Sequence, residues 1–241
     1  MADLQNNIAL VTGAGRGIGR ATALRLADAG CAVALVARTG AELESVAAEI
    51  APTGVRALVL PADVTDDAQV ESLLRRTASE LGSISILVNN AGSAPSRAAH
   101  AKAAVAAWDR MLATGLRAPM VLSHLLLPDM LAHRRGAIIN VASLAARSAR
   151  AGEAAYAAVK AGLIAFSHAL FAEVRNSGIK VAAICPGYVD TAFIPPNRRV
   201  DREKFLRPEH VAEVIVGVLA APAHLCQTEV LVEPQFDPEH T

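Results

Sequence analysis

Val11-Thr12-Gly13-Ala14-Gly15-Arg16-Gly17-Ile18-Gly19 is the stretch whose reading decides the fold. The apolar run Ile8 to Val11 precedes it, and a run of helical character, Arg20 to Ala29, follows it. A strand that ends in closely spaced glycines and turns directly into a helix presents backbone without Cβ atoms. A pyrophosphate can rest there on amide N–H groups at the positive end of the helix dipole. The stretch is therefore read as a nucleotide site, with Gly13, Gly15, Arg16, Gly17, Ile18 and Gly19 as its candidate residues. Glycines also make ordinary tight turns, so the reading needs its strand-turn-helix context and a chemical site downstream.

Outward from this stretch, short β-rich runs alternate with longer segments of helical period, the pattern of a parallel sheet covered by helices on both faces. The strands are expected at Ile8 to Val11, Ala32 to Val36, Val55 to Leu60, Ile84 to Val88, Ala137 to Val141, Val181 to Ile184 and Val230 to Val232. Their apolar character on both faces suits strands buried between helical layers. Gly30, Gly82 and Gly178 stand where an αL residue closes a helix before a strand. Asp66 with Gln69 reads as a helix N-cap, and Pro208 as the first turn of a helix with Val211, Val214, Ile215, Val218 and Leu219 on one side. The expected fold is an α/β, single-domain Rossmann-type doubly wound parallel sheet of about seven strands, residues 1–241 forming one dinucleotide-binding and catalytic domain.

Composition narrows the partners. Lys plus Arg number 23 and Asp plus Glu number 23, so no broad attraction to nucleic acid or to an anionic membrane is expected. Small molecules are the expected partners. Although 53% of residues are hydrophobic, alanine supplies much of that figure, and no uninterrupted apolar segment reaches the roughly 20 residues a membrane helix needs. The opening residues lack a basic-then-apolar leader pattern, so a soluble cytoplasmic protein is expected. Cys31, Cys185 and Cys226 are widely spaced and odd in number, which argues for buried thiols rather than a disulfide framework. His100, His124, His133, His168 and His210 form no spaced ligand set, so no metal is expected.

Arg38 follows the second strand where an NAD-binding fold usually holds an acidic residue for the ribose 2′-hydroxyl. With arginine there, and Arg16 as a second positive charge, the sequence points to NADP(H) over NAD(H), the alternative being two solvated loop arginines. Asp63-Val64 would lie at the carboxyl edge of the sheet, Asp63 either bonding the adenine amino group or serving only as a turn residue before Asp66. Asn89-Asn90-Ala91-Gly92 ends the fourth strand similarly, and Asn90 is expected to be partly structural.

Ser143 lies just past the fifth strand, and thirteen residues later Tyr156-Ala157-Ala158-Val159-Lys160 opens a helix expected to reach about Asn176. Positions i and i+4 share a helix face, so phenol and ammonium are neighbours. A free tyrosine has a pKa near 10, and an adjacent positive charge favours the phenolate, bringing the group closer to acid or base work near neutral pH. A hydroxyl such as Ser143 can hold a carbonyl oxygen while the phenol donates its proton.

At this point nearly the whole chain resembles the short-chain dehydrogenase/reductase family of single-domain type. The matching residues are Thr12-Gly13-x-x-x-Gly17-Ile18-Gly19, Asn89-Asn90-Ala91-Gly92, Ser143, Tyr156-x-x-x-Lys160 and Pro186-Gly187-x-x-x-Thr191. The resemblance implies hydride transfer between a nicotinamide and a carbonyl or alcohol carbon. It makes Tyr156 the general acid/base, Lys160 the holder of the ribose hydroxyls, Ser143 the orienter of the substrate oxygen, and Pro186, Gly187 and Thr191 contacts of the nicotinamide amide. It also implies pairing of the Tyr156 helix and the Trp108-to-Leu127 helix across two-fold axes, hence a homodimer or homotetramer.

Two positions depart from the family pattern. Seven residues after Trp108, where the family usually has a proton-relaying asparagine, stands Gly115, which costs about 1 kcal/mol in a helix interior relative to alanine. Gly115→Asn is accordingly expected to leave activity similar or to raise it. The ending Glu229-Val230-Leu231-Val232-Glu233-Pro234 resembles the branch with 3-hydroxy acid dehydrogenases and broad carbonyl reductases.

Residues 188 to 207 have no clear periodicity and are expected to form the lid over the substrate. Arg198, Arg199 and Arg202 within it, and Arg147 and Arg150 between Ser143 and Tyr156, either attract an anionic substrate or pair with acids such as Asp201 and Glu203. The expected activity is an NADP(H)-dependent ketone or aldehyde reductase. The alternative is a non-catalytic NADP(H)-binding sensor on the same fold, for which Gly115 is the direct hint.

Overall fold

The structure, a computed structural model, describes residues 4–94, 100–194 and 200–239. Parallel strands β1 (Ile8–Thr12), β2 (Ala32–Ala37), β3 (Ala57–Pro61), β4 (Ile86–Asn89), β5 (Gly136–Val141), β6 (Ile179–Pro186) and β7 (Glu229–Val232) form one sheet in the order β3-β2-β1-β4-β5-β6-β7. Each coincides with an expected strand, though some ends move. Ile84 is buried, as an apolar residue there should be, yet its backbone precedes the ladder, which begins at Ile86. β6 runs longer than expected because Ile179 pairs with Gly136 at one end and Pro186 with Val232 at the other.

Helices α1 (Gly17–Asp28), α2 (Gly40–Ile50) and α7 (Pro208–Leu219) cover one face of the sheet, and α3 (Asp67–Glu80), α5 (Ala118–His133) and α6 (Ala154–Val174) the other. Strand alternation explains the division. On β2, Val33 and Leu35 join Leu26, Leu43 and Ile215 in one core, while Ala34 and Val36 join Val70, Leu122 and Val174 in the other. Asp66 caps α3, its Oδ1 accepting from Ala68 N at 3.0 Å and Gln69 N at 3.2 Å. Gly30, Gly82 and Gly178 take the expected positive φ of 85, 114 and 77°.

The helix expected from Trp108 to Leu127 is longer and interrupted. α4 (Val105–Leu112) runs into a π turn, Ala113–Arg117, before continuing as α5. By length and composition alone, Val105–His133 and Ala154–Ser177 could each cross a membrane. Both instead lie on the sheet and supply Leu122, Met130, Leu163 and Val174 to its cores. Cys31 and Cys185 are fully buried, but Cys226 is only half-buried, against the sequence reading.

A buried polar chain fixes α6 to the middle of the sheet. Asn89 Nδ2 donates to Asn140 Oδ1 at 2.8 Å, Asn140 Nδ2 to Ser167 Oγ at 2.8 Å, and Ser167 Oγ to Leu163 O at 2.7 Å. Away from water each of these groups needs its partner, so strands β4 and β5 set the depth and rotation of α6. That helix carries Tyr156 and Lys160.

Candidate active site

Chain order reverses between β1 and β4, and there the carboxyl ends of the strands open into a cavity of about 1030 Å³. Gly13, Gly15, Arg16, Gly17, Ile18, Arg38, Asp63, Val64, Asn90, Ser143, Tyr156, Lys160, Pro186, Gly187 and Thr191 all line it. Residues from five expected motifs thus meet around one space.

At one end lies the glycine turn. Gly13 and Gly17 have φ of +65 and +55°, which side chains rarely adopt, and a Cβ on Gly13 would sit 2.8 Å from Asn90 Nδ2. Gly19 departs from expectation: it does not line the cavity. A Cβ there would overlap the carbonyl of Gly13, so this glycine serves close packing of α1 against the turn. The N-cap of α1, Arg16, makes no side-chain capping bond, leaving the first-turn amides to the cavity. A bare backbone cradle ending in uncapped amides fits a dinucleotide pyrophosphate.

Arg38 and Arg16 stand exposed beside this cradle. The run Leu35 to Thr39 offers them no carboxylate, but the helix that follows does. Glu42, in the first turn of α2, lines the same end, its Oε1 3.9 Å from Arg16 Nη1. Glu42 lies four residues past Arg38, a helical turn beyond the strand end, which was the available signal. Asp63 Oδ1 accepts from Thr65 N at 2.9 Å and Thr65 Oγ1 at 2.8 Å, so the residue closes its turn while facing the cavity. Asn90 Nδ2 donates to Thr12 O at 2.9 Å and Gly13 O at 3.2 Å, which ties β4 to the glycine turn.

Ser143 and α6 form the opposite wall. Ser143 Oγ accepts from Ala145 N at 3.2 Å, fixing the hydroxyl at the start of a short 3-10 turn. Lys160 is buried, and its Nζ donates to Val141 O at 2.7 Å and lies 5.9 Å from the Tyr156 ring centroid. Burial lowers its pKa to about 8. For Tyr156 the expected depression by the ammonium is not what the protein alone shows. Burial raises the phenol pKa, a hydrogen bond with Ser143 opposes the rise, and Glu153 adds to it. Spacing along a helix reveals the charge but not the loss of solvent, and here loss of solvent dominates.

Gly115 is buried in the π turn, where a Cβ would lie 2.8 Å from Val159 Cγ1. Val159 is itself buried at 2% exposure and directly precedes Lys160, so it cannot swing away cheaply. This reverses the expectation for Gly115→Asn: the isopropyl group of Val159 occupies the room an asparagine side chain needs. Thr114 and Arg110, from the same region, also line the cavity.

At the substrate end the arginines are paired. Arg147 Nε donates to Glu229 Oε1 at 2.8 Å, Arg150 Nη2 is 3.1 Å from Glu239 Oε1, and Arg202 Nε donates to Asp190 Oδ1 at 3.0 Å. The ion-pair alternative therefore holds for these three rather than a free anion-binding cluster. Arg198 and Arg199 lie outside the described residues. Tyr188 and Phe193, within the stretch 188–207 expected to cover the substrate but not singled out there, line the cavity, Phe193 lying 6.2 Å from Tyr156 between ring centroids; sequence reasoning missed the C-terminal residues Glu233, Asp237 and Glu239. No periodic signal marks that tail.

Comparison with known proteins agrees with this architecture. The family model described as short chain dehydrogenase matches residues 7–201. An uncharacterized oxidoreductase of Staphylococcus aureus (strain MRSA252) is 34% identical over 234 residues, 97% of this chain and 100% of the relative. One from Staphylococcus haemolyticus (strain JCSC1435) is 33% identical with the same coverage. The crystal structure of a metagenomic short-chain oxidoreductase in complex with NADP superposes with a TM-score of 0.85 at 30% identity, covering 98% of this chain and 100% of that one. With a sheet of this order, a bare glycine cradle and a family match over most of its length, the chain belongs to the short-chain dehydrogenase family.

Proposed function

We propose that the protein is an NADP(H)-dependent reductase of ketones or aldehydes, running in reverse as an alcohol dehydrogenase. The observation that carries this reading is the meeting of Ser143, Tyr156 and Lys160 with the glycine cradle in one cavity. Gly13, Gly15, Gly17 and Ile18 would hold the pyrophosphate, Asp63, Val64 and Asn90 the adenosine side, and Pro186, Gly187 and Thr191 the nicotinamide amide. Bound there, the coenzyme supplies or accepts a hydride at its nicotinamide ring. Ser143 orients the substrate oxygen, and Tyr156, a phenol protonated at neutral pH even at its ordinary pKa near 10, donates its phenolic proton to that oxygen. Lys160 anchors ribose hydroxyls while its bond to Val141 O fixes the ammonium below the phenol.

Preference for NADP(H) rests on Arg38 and Arg16, and the NADP complex of the metagenomic relative supports it. Glu42 tempers the local charge but leaves Arg38 beside the cradle. Residues 188–207 are proposed as the substrate lid within a single domain, with Val189 bridging Leu206 at its base. A homodimer or homotetramer fits the exposed Val105, Leu112 and Met120 along α4 and α5.

The test is NADPH absorbance followed with a panel of neutral ketones and aldehydes, beside Tyr156→Phe. Turnover by the wild type, lost by about 10³-fold in the variant with NADPH binding retained, is the expected result. NADPH binding without turnover on any carbonyl would favour the sensor reading.

A further inference from the structure

The three paired arginines near the substrate differ in who neutralises them. Glu229, the partner of Arg147, is a strand residue that also lies 3.3 Å from His168, and Asp190, the partner of Arg202, lies in the proposed lid. Arg150 is neutralised from the C-terminal tail. That tail leaves β7 after Val232, whose carbonyl accepts from Gly187 N at 2.8 Å, and then crosses the cavity. It is fastened again where Asp201 N donates to Pro238 O at 2.9 Å. Glu239 Oε1 then lies 3.1 Å from Arg150 Nη2 and accepts from Tyr188 OH at 2.6 Å, while Arg150 Nη1 donates to that hydroxyl at 2.7 Å. The guanidinium carbon lies 4.8 Å over the Tyr188 ring. Arg150, Tyr188 and Glu239 thus form a closed triangle on the wall of the cavity that Tyr156 also lines.

We propose that Glu239 is a specificity-determining residue: by holding Arg150 in this triangle it denies the guanidinium to substrates that carry a carboxylate near the carbonyl, leaving the site to neutral carbonyl compounds. The proposal rests on the reductase reading. A guanidinium with a free fork binds a carboxylate by two parallel hydrogen bonds. Here Glu239 takes one arm of the fork, Nη2, and the Tyr188 hydroxyl that it holds takes the other, Nη1, so Glu239 acts as a tethered competitor at an effective concentration of about millimolar or more. A substrate carboxylate that displaced it would remain beside the displaced negative charge, so rejection has both a competitive and a repulsive part.

The experiment compares benzoylformate with its neutral methyl ester, NADPH being the reductant, in the wild type, Glu239→Gln and Glu239→Gln/Arg150→Met. The readout is the ratio of kcat/KM for acid over ester, with melting temperature as a check on folding. Glutamine keeps an acceptor for Tyr188 but removes the charge, so the ratio is expected to rise about tenfold in Glu239→Gln, the gain of one charged hydrogen bond, and to return in the double variant. A ratio that moves less than about twofold in a folded Glu239→Gln still reducing the ester overturns the proposal. Should the wild type bind NADPH yet reduce neither compound, the reductase reading fails on its own. Calorimetric binding of benzoylformate to the NADPH complexes then decides, equal affinity in wild type and Glu239→Gln overturning the proposal.

Discussion

Around the glycine turn a Cβ on Gly13 or Gly19 would press on backbone and on Asn90, whereas at the other end of the cavity Arg147, Arg150 and Arg202 each meet a carboxylate. The first region is specified by excluded volume. It is set by the turn closing on itself, Gly19 against the Gly13 carbonyl, and by Asn90 from the end of β4, and neither glycine has room for a Cβ. The second is specified by charge, through partners as distant along the chain as Arg150 and Glu239, and an exposed pair with no further bond tolerates rearrangement. Geometry that must match a fixed coenzyme is rigid, and geometry that meets a variable substrate is adjustable.

The sharpest attempt to break this contrast is Gly19→Ala. The added methyl overlaps the Gly13 carbonyl, so the variant is expected to lose about 3 kcal/mol of stability in urea unfolding and to bind NADPH poorly in a fluorescence titration. Coenzyme affinity within about twofold of wild type would show that the turn yields as readily as the substrate wall.

Lys160 stands where the two regions join. The fold lowers its pKa from 10.5 to about 8, so between those values the unfolded chain holds the extra proton and stability rises with pH. Below pH 8 the burial penalty is fully present. Lys160→Met should therefore abolish turnover yet raise stability at pH 7 by roughly 2 kcal/mol, about 3 from the pKa shift less about 1 for the lost bond to Val141 O. Thermal unfolding at pH 7 and at pH 10 checks the sign, because the gain should shrink at the higher pH.

A smaller effect is expected at Gly115. Gly115→Asn should cost about 1–2 kcal/mol and lower kcat, since its Cβ meets the buried Val159, and Gly115→Asn/Val159→Ala should recover most of both. Additive losses in that double-mutant cycle would show that the two positions are independent. The smallest effect belongs to the substrate wall: Arg147→Ala should change stability by less than about 1 kcal/mol, because the guanidinium is half exposed. A larger loss would mean that charge holds this end of the molecule together.

The same contrast governs what the chain revealed before folding. Strand positions, the Asp66 cap and the glycine turn depend largely on local residue type and on burial, and they appear close to where the residues placed them, with strand ends shifted and Gly19 packing α1 rather than lining the cavity. Tyr156 and Lys160 were correctly set on one helix, but the direction of the Tyr156 shift depends on how much water the surrounding sheet and loops exclude. The clash behind Gly115 comes from a different helix, and Glu239 reaches Arg150 only because the tail recrosses the strand ends. Those facts arise from tertiary meeting, which residue spacing does not encode.

The π turn at Ala113–Arg117 has a consequence for how this chain tolerates change in length. It holds one more residue than an α-helical turn would need, so deleting a single residue within it would let α4 and α5 merge into one regular helix. Because the wide turn absorbs that residue without adding rotation, α4 and α5 would keep their phase and Leu122, Leu126 and Met130 would stay on the sheet. What a deletion would change is local, the bulge that seats Gly115 against Val159, so shortening here by one residue is tolerated by the sheet packing while enlarging Gly115 is not.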